Sequence, residues 1–165
     1  MNAGLQPQAW HDLFAFFGTA CAALLGLFYV AISLHINELA DHPLELNRAQ
    51  AGLHSLLVGL VISVLILIPG QPLSWLGVEL IAIEVGFLII AIPAGRRRLS
   101  GVRVPAVFWI NALVSFVSIG LVVVAGASLI AGQGPGLYLV IPAVLVILLV
   151  ASYFAWTVLF VAKGK

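Results

Sequence analysis

Charged residues are scarce in this chain. Of its 165 residues only 8% are charged, seven Lys or Arg and six Asp or Glu, whereas 63% are hydrophobic. A soluble domain carries about 25% charged residues, so this chain has too few of them to cover a surface that faces water. The scarcity excludes a soluble globular protein and indicates a surface that faces lipid.

Other shortages exclude further classes of protein. Cys21 is the single cysteine, so neither an intrachain disulfide nor a thiolate metal cluster can form. The net charge is only +1 and no basic stripe alternates with aromatic residues, which gives no indication of nucleic-acid binding. The chain has no H-E-x-x-H, no G-x-S-x-G and no phosphate-binding glycine loop, so we expect no enzyme activity and no cofactor.

Long hydrophobic runs are what the chain has in abundance. A helix needs about 20 apolar residues to cross a bilayer. The first run is too long for the core of a signal peptide and no basic residue precedes it, so we expect it to remain as a transmembrane helix. We predict one all-α transmembrane domain, 1–165, in which Pro93 ends the third span and Pro105 opens the fourth. Its five spans are 13–35, 49–69, 73–93, 105–131 and 137–162.

The basic residues predict how the helices are oriented. All seven fall on one side of the predicted membrane, in three separate segments. Because basic residues accumulate on the cytoplasmic side, we expect the N-terminus outside and the C-terminus in the cytoplasm. The segment 96–103 is also a candidate site for anionic lipid or for a partner membrane protein. The basic residues are Arg48, then Arg96, Arg97, Arg98 and Arg103, then Lys163 and Lys165.

Glu79 and Glu84 are the two charged residues inside the predicted spans. A charged side chain at the bilayer centre costs at least about 2.5 kcal/mol, so we expect Glu84, near the middle of span three, to face protein or water. There it can act as a neutral hydrogen-bonding acid or exchange a proton. Glu79 is five residues nearer the outside and points about 140° away, towards an outer entrance or a subunit interface.

Other polar side chains are expected at a similar depth. His54 lies in span two, and Asn111, Ser115 and Ser118 follow one face of span four at the spacing i, i+4, i+7. We hypothesise that these four residues and Glu84 form a polar pocket or path that opens towards the cytoplasm. The alternative is that they only satisfy one another through hydrogen bonds between helices.

A candidate metal site lies at the end of the first span. His35, Glu38 and His42 have the spacing i, i+3, i+7, which can hold a divalent metal ion on one helical face. Pro43 weakens this pattern, because the residue before a proline avoids the helical conformation. A solvated turn between two helices is the alternative interpretation.

Small residues form stripes on the first two spans. Such stripes let membrane helices approach closely, which favours helix packing over a ligand groove. Because 165 residues enclose a polar path poorly alone, we expect a homo-oligomer. The stripes are Thr19, Ala22, Ala23, Gly26 and Ser33 on the first span, continued by Asn37 just beyond it, and Gly52, Ser55, Gly59 and Ser63 on the second.

The start of the chain also carries a family likeness. The opening Trp10-His11-Asp12-Leu13-Phe14, followed by Gly18, Ala22, Ala23, Gly26 and the segment 28–34, resembles a family of small bacterial inner-membrane proteins. Some members of that family are labelled as modulators of a membrane-bound protease. The resemblance implies a bacterial inner membrane and implies no substrate, cofactor or functional residues.

Two functions remain open at this point. The first is a channel-like or transporter-like protein in which Glu84 exchanges an ion or a proton. The second is a non-conducting accessory or regulatory protein, in which Glu84 makes a structural hydrogen bond and the basic segment binds a partner or lipid.

Overall fold

The structure is a computed structural model that describes residues 10–99, 101, 106–132 and 136–161. Within these ranges the chain forms α-helices and one short 3-10 helix, Gly136–Leu139, and no strand. The helices are α1 (His11–Leu34), α2 (Ile36–Ala40), α3 (Pro43–Leu67), α4 (Leu73–Leu99), α5 (Ala106–Ile130) and α6 (Val140–Val161). All but α2 belong to stretches long and apolar enough to cross a membrane. The prediction of an all-α bundle with five membrane-spanning helices is confirmed.

Short connections make consecutive long helices antiparallel. The start of α3, the end of α4, the start of α5 and the end of α6 therefore lie at the same end of the bundle. We call it the basic end, because Arg48, Arg96 and Arg97 lie there. The other end is called the opposite end.

The expectation that the third span ends at Pro93 is wrong. Pro93 lies inside α4, which continues to Leu99. A proline removes one backbone donor from a helix, but in apolar surroundings the remaining backbone groups still find their best partners within the helix. As a result, Arg96 and Arg97 lie on the last turns of α4 and not on a loop.

The half of the bundle near the opposite end is closely packed. Its buried core takes side chains from all five long helices, for example Phe14 of α1, Ile62 of α3, Leu80 of α4, Val122 of α5 and Val144 of α6. Gly77 of α4 and Gly126 of α5 were not expected as contact residues. They bring their helices into backbone contact, since a Cβ atom at Gly126 would lie 2.7 Å from the carbonyl oxygen of Gly77.

The half near the basic end is packed differently. Its buried cluster includes Phe28, Leu39, Leu56 and Phe154, from α1, α2, α3 and α6, and has no fully buried member from α4 or α5. Within the described part of the chain, all five long helices thus pack together at the opposite end, whereas mainly α1, α3 and α6 pack together at the basic end. The α4–α5 pair stands apart from α3 and α6 there, which leaves a space inside the bundle.

The two predicted stripes of small residues have different surroundings. On α3, Gly52 and Gly59 are buried against neighbouring helices, and a Cβ atom at Gly59 would lie 3.0 Å from the Cys21 sulfur. On α1, the stripe is exposed along its length, and a Cβ atom at Gly26 would meet nothing within 4 Å. α1 buries instead the face that carries Phe14, Phe17 and Phe28, because large apolar side chains bury more area.

Candidate functional site

A cavity of about 710 Å³ fills the space between α3, α4, α5 and α6 at the basic end. Its walls come from 47–58 of α3, 84–96 of α4, 108–119 of α5 and 146–154 of α6. Pockets for small molecules have volumes of about 300–1,000 Å³, so this one is of that size.

Five of the six residues expected on an ion or proton pathway line this cavity. They come from three helices that the antiparallel arrangement brings together at the basic end. The sixth, Glu79, does not line it. The five are His54, Glu84, Asn111, Ser115 and Ser118.

Glu84 lies at the deep end of the cavity. Its side chain is 3% exposed, and among the described residues it has no hydrogen-bond or ion-pair partner. Buried polar groups are nearly always hydrogen-bonded, so an unpartnered carboxyl beside an open space is unusual. The arrangement leaves both carboxyl oxygens free to meet a proton, water or a ligand in the cavity.

His54 shares the cavity with Glu84, and no ion pair joins the two side chains within the described part of the chain. The imidazole contacts the ring of Phe87 edge-on, with 5.9 Å between ring centroids and 61° between ring planes. This ring contact holds His54 in the cavity wall.

Two of the three polar α5 side chains that line the cavity donate hydrogen bonds to backbone carbonyl oxygens. The Ser118 hydroxyl donates to the carbonyl oxygen of Ala143 at 3.0 Å and so joins α5 to α6. The Ser115 hydroxyl donates to the carbonyl oxygen of Asn111 at 3.0 Å, within its own helix. The side-chain amide nitrogen of Asn111 is buried and has no partner. Ser118 thus makes a hydrogen bond between helices, as the structural alternative describes, whereas Ser115 bonds only within its own helix and Asn111 keeps a buried donor without a partner.

Two arginines line the cavity nearer the basic end. Arg48 is paired, with 2.6 Å between its Nη1 and Oε1 of Glu45, and both side chains are mostly buried. Arg96 is exposed and lies at the mouth of the cavity with Trp109, which is 65% exposed. Arg97 is exposed and is not part of the lining.

Four of the seven basic residues have no described side chain. Arg103, Lys163 and Lys165 lie outside the described residues, and of Arg98 only the backbone belongs to them.

Glu79 has different surroundings from Glu84 although both belong to α4. It is half-buried, lies towards the opposite end and accepts a hydrogen bond from the side-chain amide of Gln71. Its carboxyl group is therefore satisfied by the protein itself. The expected separation of the two glutamates on α4 agrees with these different positions.

The candidate metal ligands are not brought onto one helical face. α1 ends at Leu34, and His35 turns the chain into α2, with its Nδ1 2.9 Å from the carbonyl oxygen of Ala31. His42 is not helical ahead of Pro43, with φ −122° and ψ 83°, as expected for a residue before proline. Among the described residues no group of three or more His, Cys, Asp or Glu could hold a metal ion.

Aromatic walls are the feature that sequence reasoning missed. Five aromatic side chains from three helices line the cavity, and half of the other lining residues are aliphatic. They are scattered along the sequence, and only the helix arrangement brings them together. The five are Phe87, Phe108, Trp109, Phe116 and Phe154.

Fold and site together define a multi-pass membrane protein with a cavity between four of its helices. Comparison of the chain with protein-family models, with curated proteins and with solved structures finds no match.

Proposed function

We propose that the protein is a transporter-like membrane protein in which the Glu84 carboxyl binds and releases a proton or cation inside the cavity. The observation that carries this proposal is Glu84 itself, a residue that is 3% exposed, has no side-chain partner in the described protein and lines a space of about 710 Å³. An unpartnered carboxylate is costly at this depth, so the empty site favours the protonated acid and an arriving cation favours the ionised one. Proton and cation then compete for one group.

The closed opposite end favours a transporter-like protein over an open channel. Val58 and Ile147 line the cavity and also belong to the apolar core near that end. This core is a floor beneath the cavity, and an ion cannot cross apolar side chains that are closely packed. Transport therefore requires the helices to rearrange, and α4 with α5 is the pair with least contact to the rest at the basic end.

The remaining parts of the proposal concern location and assembly. We place the basic end in the cytoplasm on the positive-inside rule, and the protein in a bacterial inner membrane on its family resemblance. We propose a homo-oligomer that associates through the exposed small-residue stripe of α1, because small residues let membrane helices approach closely. No enzymatic step is part of this function.

Flux measurements in proteoliposomes test the proposal. Purified wild-type protein and the variants Glu84→Gln and Glu79→Gln are reconstituted, and proton and cation fluxes are followed across a range of pH. Glu79→Gln is the matched control, because it makes the same change on the same helix outside the cavity. We expect flux from the wild type and from Glu79→Gln, and background flux from Glu84→Gln.

A non-conducting accessory protein is the second candidate, and the exposed Arg96 and Arg97 at the end of α4 favour it. Guanidinium groups at a membrane surface attract anionic lipids and acidic protein segments. Background flux from all three proteins would support this candidate and contradict transport through Glu84.

A further inference from the structure

The cavity is larger than a proton or an inorganic ion requires. At about 30 Å³ per water molecule, its volume of about 710 Å³ has room for roughly two dozen waters. A site for a bare cation places several oxygen ligands within about 2.6 Å of the ion, and here a single carboxyl faces a wide space. The volume indicates an organic ligand.

The walls indicate that the ligand has an apolar body. Aromatic rings from α4, α5 and α6 and aliphatic side chains from all four helices make up most of the lining. Such walls hold water poorly, so replacing it by an apolar molecule is favourable. Aromatic faces also attract cations within about 6 Å of the ring centroid.

The charged groups of the lining indicate the sign of the ligand's charge. Four lining residues carry charged or titratable groups: Glu84 and Arg96 on α4, and Arg48 and His54 on α3, with none from α5 or α6 among the described lining residues. Arg48 is paired with Glu45, and Arg96 is exposed at the mouth, twelve residues or about 18 Å along α4 from Glu84. The unpartnered group at the deep end is an acid, so its complement is a cation.

We propose that the cavity binds a hydrophobic organic cation, a ring-containing molecule with one protonated amine or quaternary centre, and that this charge lies against the Glu84 carboxyl. The inference rests on the proposed function and names the substrate class of the same site. Phe87 is one helical turn from Glu84 on the same face of α4 and also lines the cavity, so its ring borders the bound charge. When a monovalent cation binds to protonated Glu84, one proton leaves the carboxyl, and the net charge of the site is unchanged.

Binding of two molecules with the same shape and opposite charge tests this inference. The full chain in lipid nanodiscs is titrated with tetraphenylphosphonium, a cation, and with tetraphenylborate, an anion, with protein-free nanodiscs as the blank. We expect one phosphonium per protomer and at least tenfold weaker binding of the borate. Glu84→Gln should weaken phosphonium binding at least tenfold, whereas Glu79→Gln and Glu84→Asp should keep the preference for the cation.

Two binding results would overturn the inference. One is that the protein binds borate as tightly as phosphonium. The other is that Glu84→Gln binds phosphonium as tightly as the wild type does. If Glu84→Gln does not fold, proton release from the wild type in weak buffer decides: we expect up to one proton per phosphonium bound, and no release contradicts the site.

The two proposals can fail separately. Glu84-dependent flux of protons or inorganic cations without phosphonium binding would overturn this inference and leave the proposed function intact. Phosphonium binding at Glu84 without any flux would overturn the proposed function and leave this inference intact.

Discussion

Alanine at Gly77 or Gly126 is expected to force α4 and α5 apart near the opposite end. A methyl group at Gly77 would overlap the carbonyl oxygen of Gly126 and lie 2.8 Å from Cγ1 of Ile130. A methyl group at Gly126 would lie 2.7 Å from the carbonyl oxygen of Gly77 and 2.8 Å from Cγ1 of Ile81. Carbon atoms rarely approach so closely, and each clash includes a backbone oxygen that moves only if the helix moves.

The size of the effect follows from this geometry. Extra methyl groups in a closely packed core cost about 1–3 kcal/mol when the surroundings must shift. We expect the free energy of unfolding to fall by about that amount for either substitution. Gly86 of α4 and Gly120 of α5 supply matched controls, because a Cβ atom there would meet nothing within 4 Å. Alanine at those positions should be neutral or should stabilise the helix by about 0.5–1 kcal/mol.

The four variants are purified in mild detergent, and their unfolding by SDS is followed by circular dichroism. This experiment gives the free energy of unfolding of each variant. The expected order places Gly77→Ala and Gly126→Ala well below the wild type, and Gly86→Ala and Gly120→Ala at or above it. If Gly77→Ala were as stable as Gly86→Ala, the backbone contact between α4 and α5 would be refuted.

The remaining predictions concern the ion pair, the oligomer and the lipid contacts. Arg48→Gln should lower the free energy of unfolding by about 1–3 kcal/mol, because it leaves the mostly buried glutamate partner unpaired, and Arg97→Gln should change it little. Gly26→Leu should reduce self-association, measured by subunit counting in single vesicles, and leave stability unchanged, whereas Gly52→Leu should disrupt the fold because Phe28 and Phe154 occupy the space. Replacing both Arg96 and Arg97 by Gln should reduce the anionic lipid retained after purification, measured by native mass spectrometry, at about 1 kcal/mol per arginine.

Each of these expectations has a contradicting outcome. A stable Arg48→Gln protein would mean that the ion pair contributes nothing. Undiminished self-association in Gly26→Leu would remove α1 from the interface, and unchanged lipid content would remove the arginines from lipid binding.

The sequence predicted the features that depend on helix length and on depth in the membrane. Five apolar runs identified the five long helices, and the positions of His54, Glu84 and Asn111 along their spans placed them at similar depth. The depth of a residue in the membrane can be predicted because a helix advances by a constant 1.5 Å per residue.

Contacts that depend on which faces of the helices meet could not be predicted from the sequence in this way. The small residues of α1 and those of α3 form similar stripes, yet one faces away from the bundle and the other lies inside it. The contact between Gly77 and Gly126 joins residues 49 positions apart, and the aromatic walls come from three helices. Helix packing decides these contacts, and neighbouring helices in lipid are selected by shape and not by hydrophobicity.

Carbodiimide labelling followed by peptide mass mapping tests the central claim, an accessible and protonated carboxyl at Glu84, most directly. A hydrophobic carbodiimide modifies a protonated carboxyl group that it can reach from an apolar environment. We expect modification of Glu84 in preference to Glu79, whose carboxyl already accepts a hydrogen bond from Gln71, and we expect a hydrophobic cation to protect Glu84. Preferential modification of Glu79, with Glu84 unreacted, would show that Glu84 is not an accessible, protonated carboxyl.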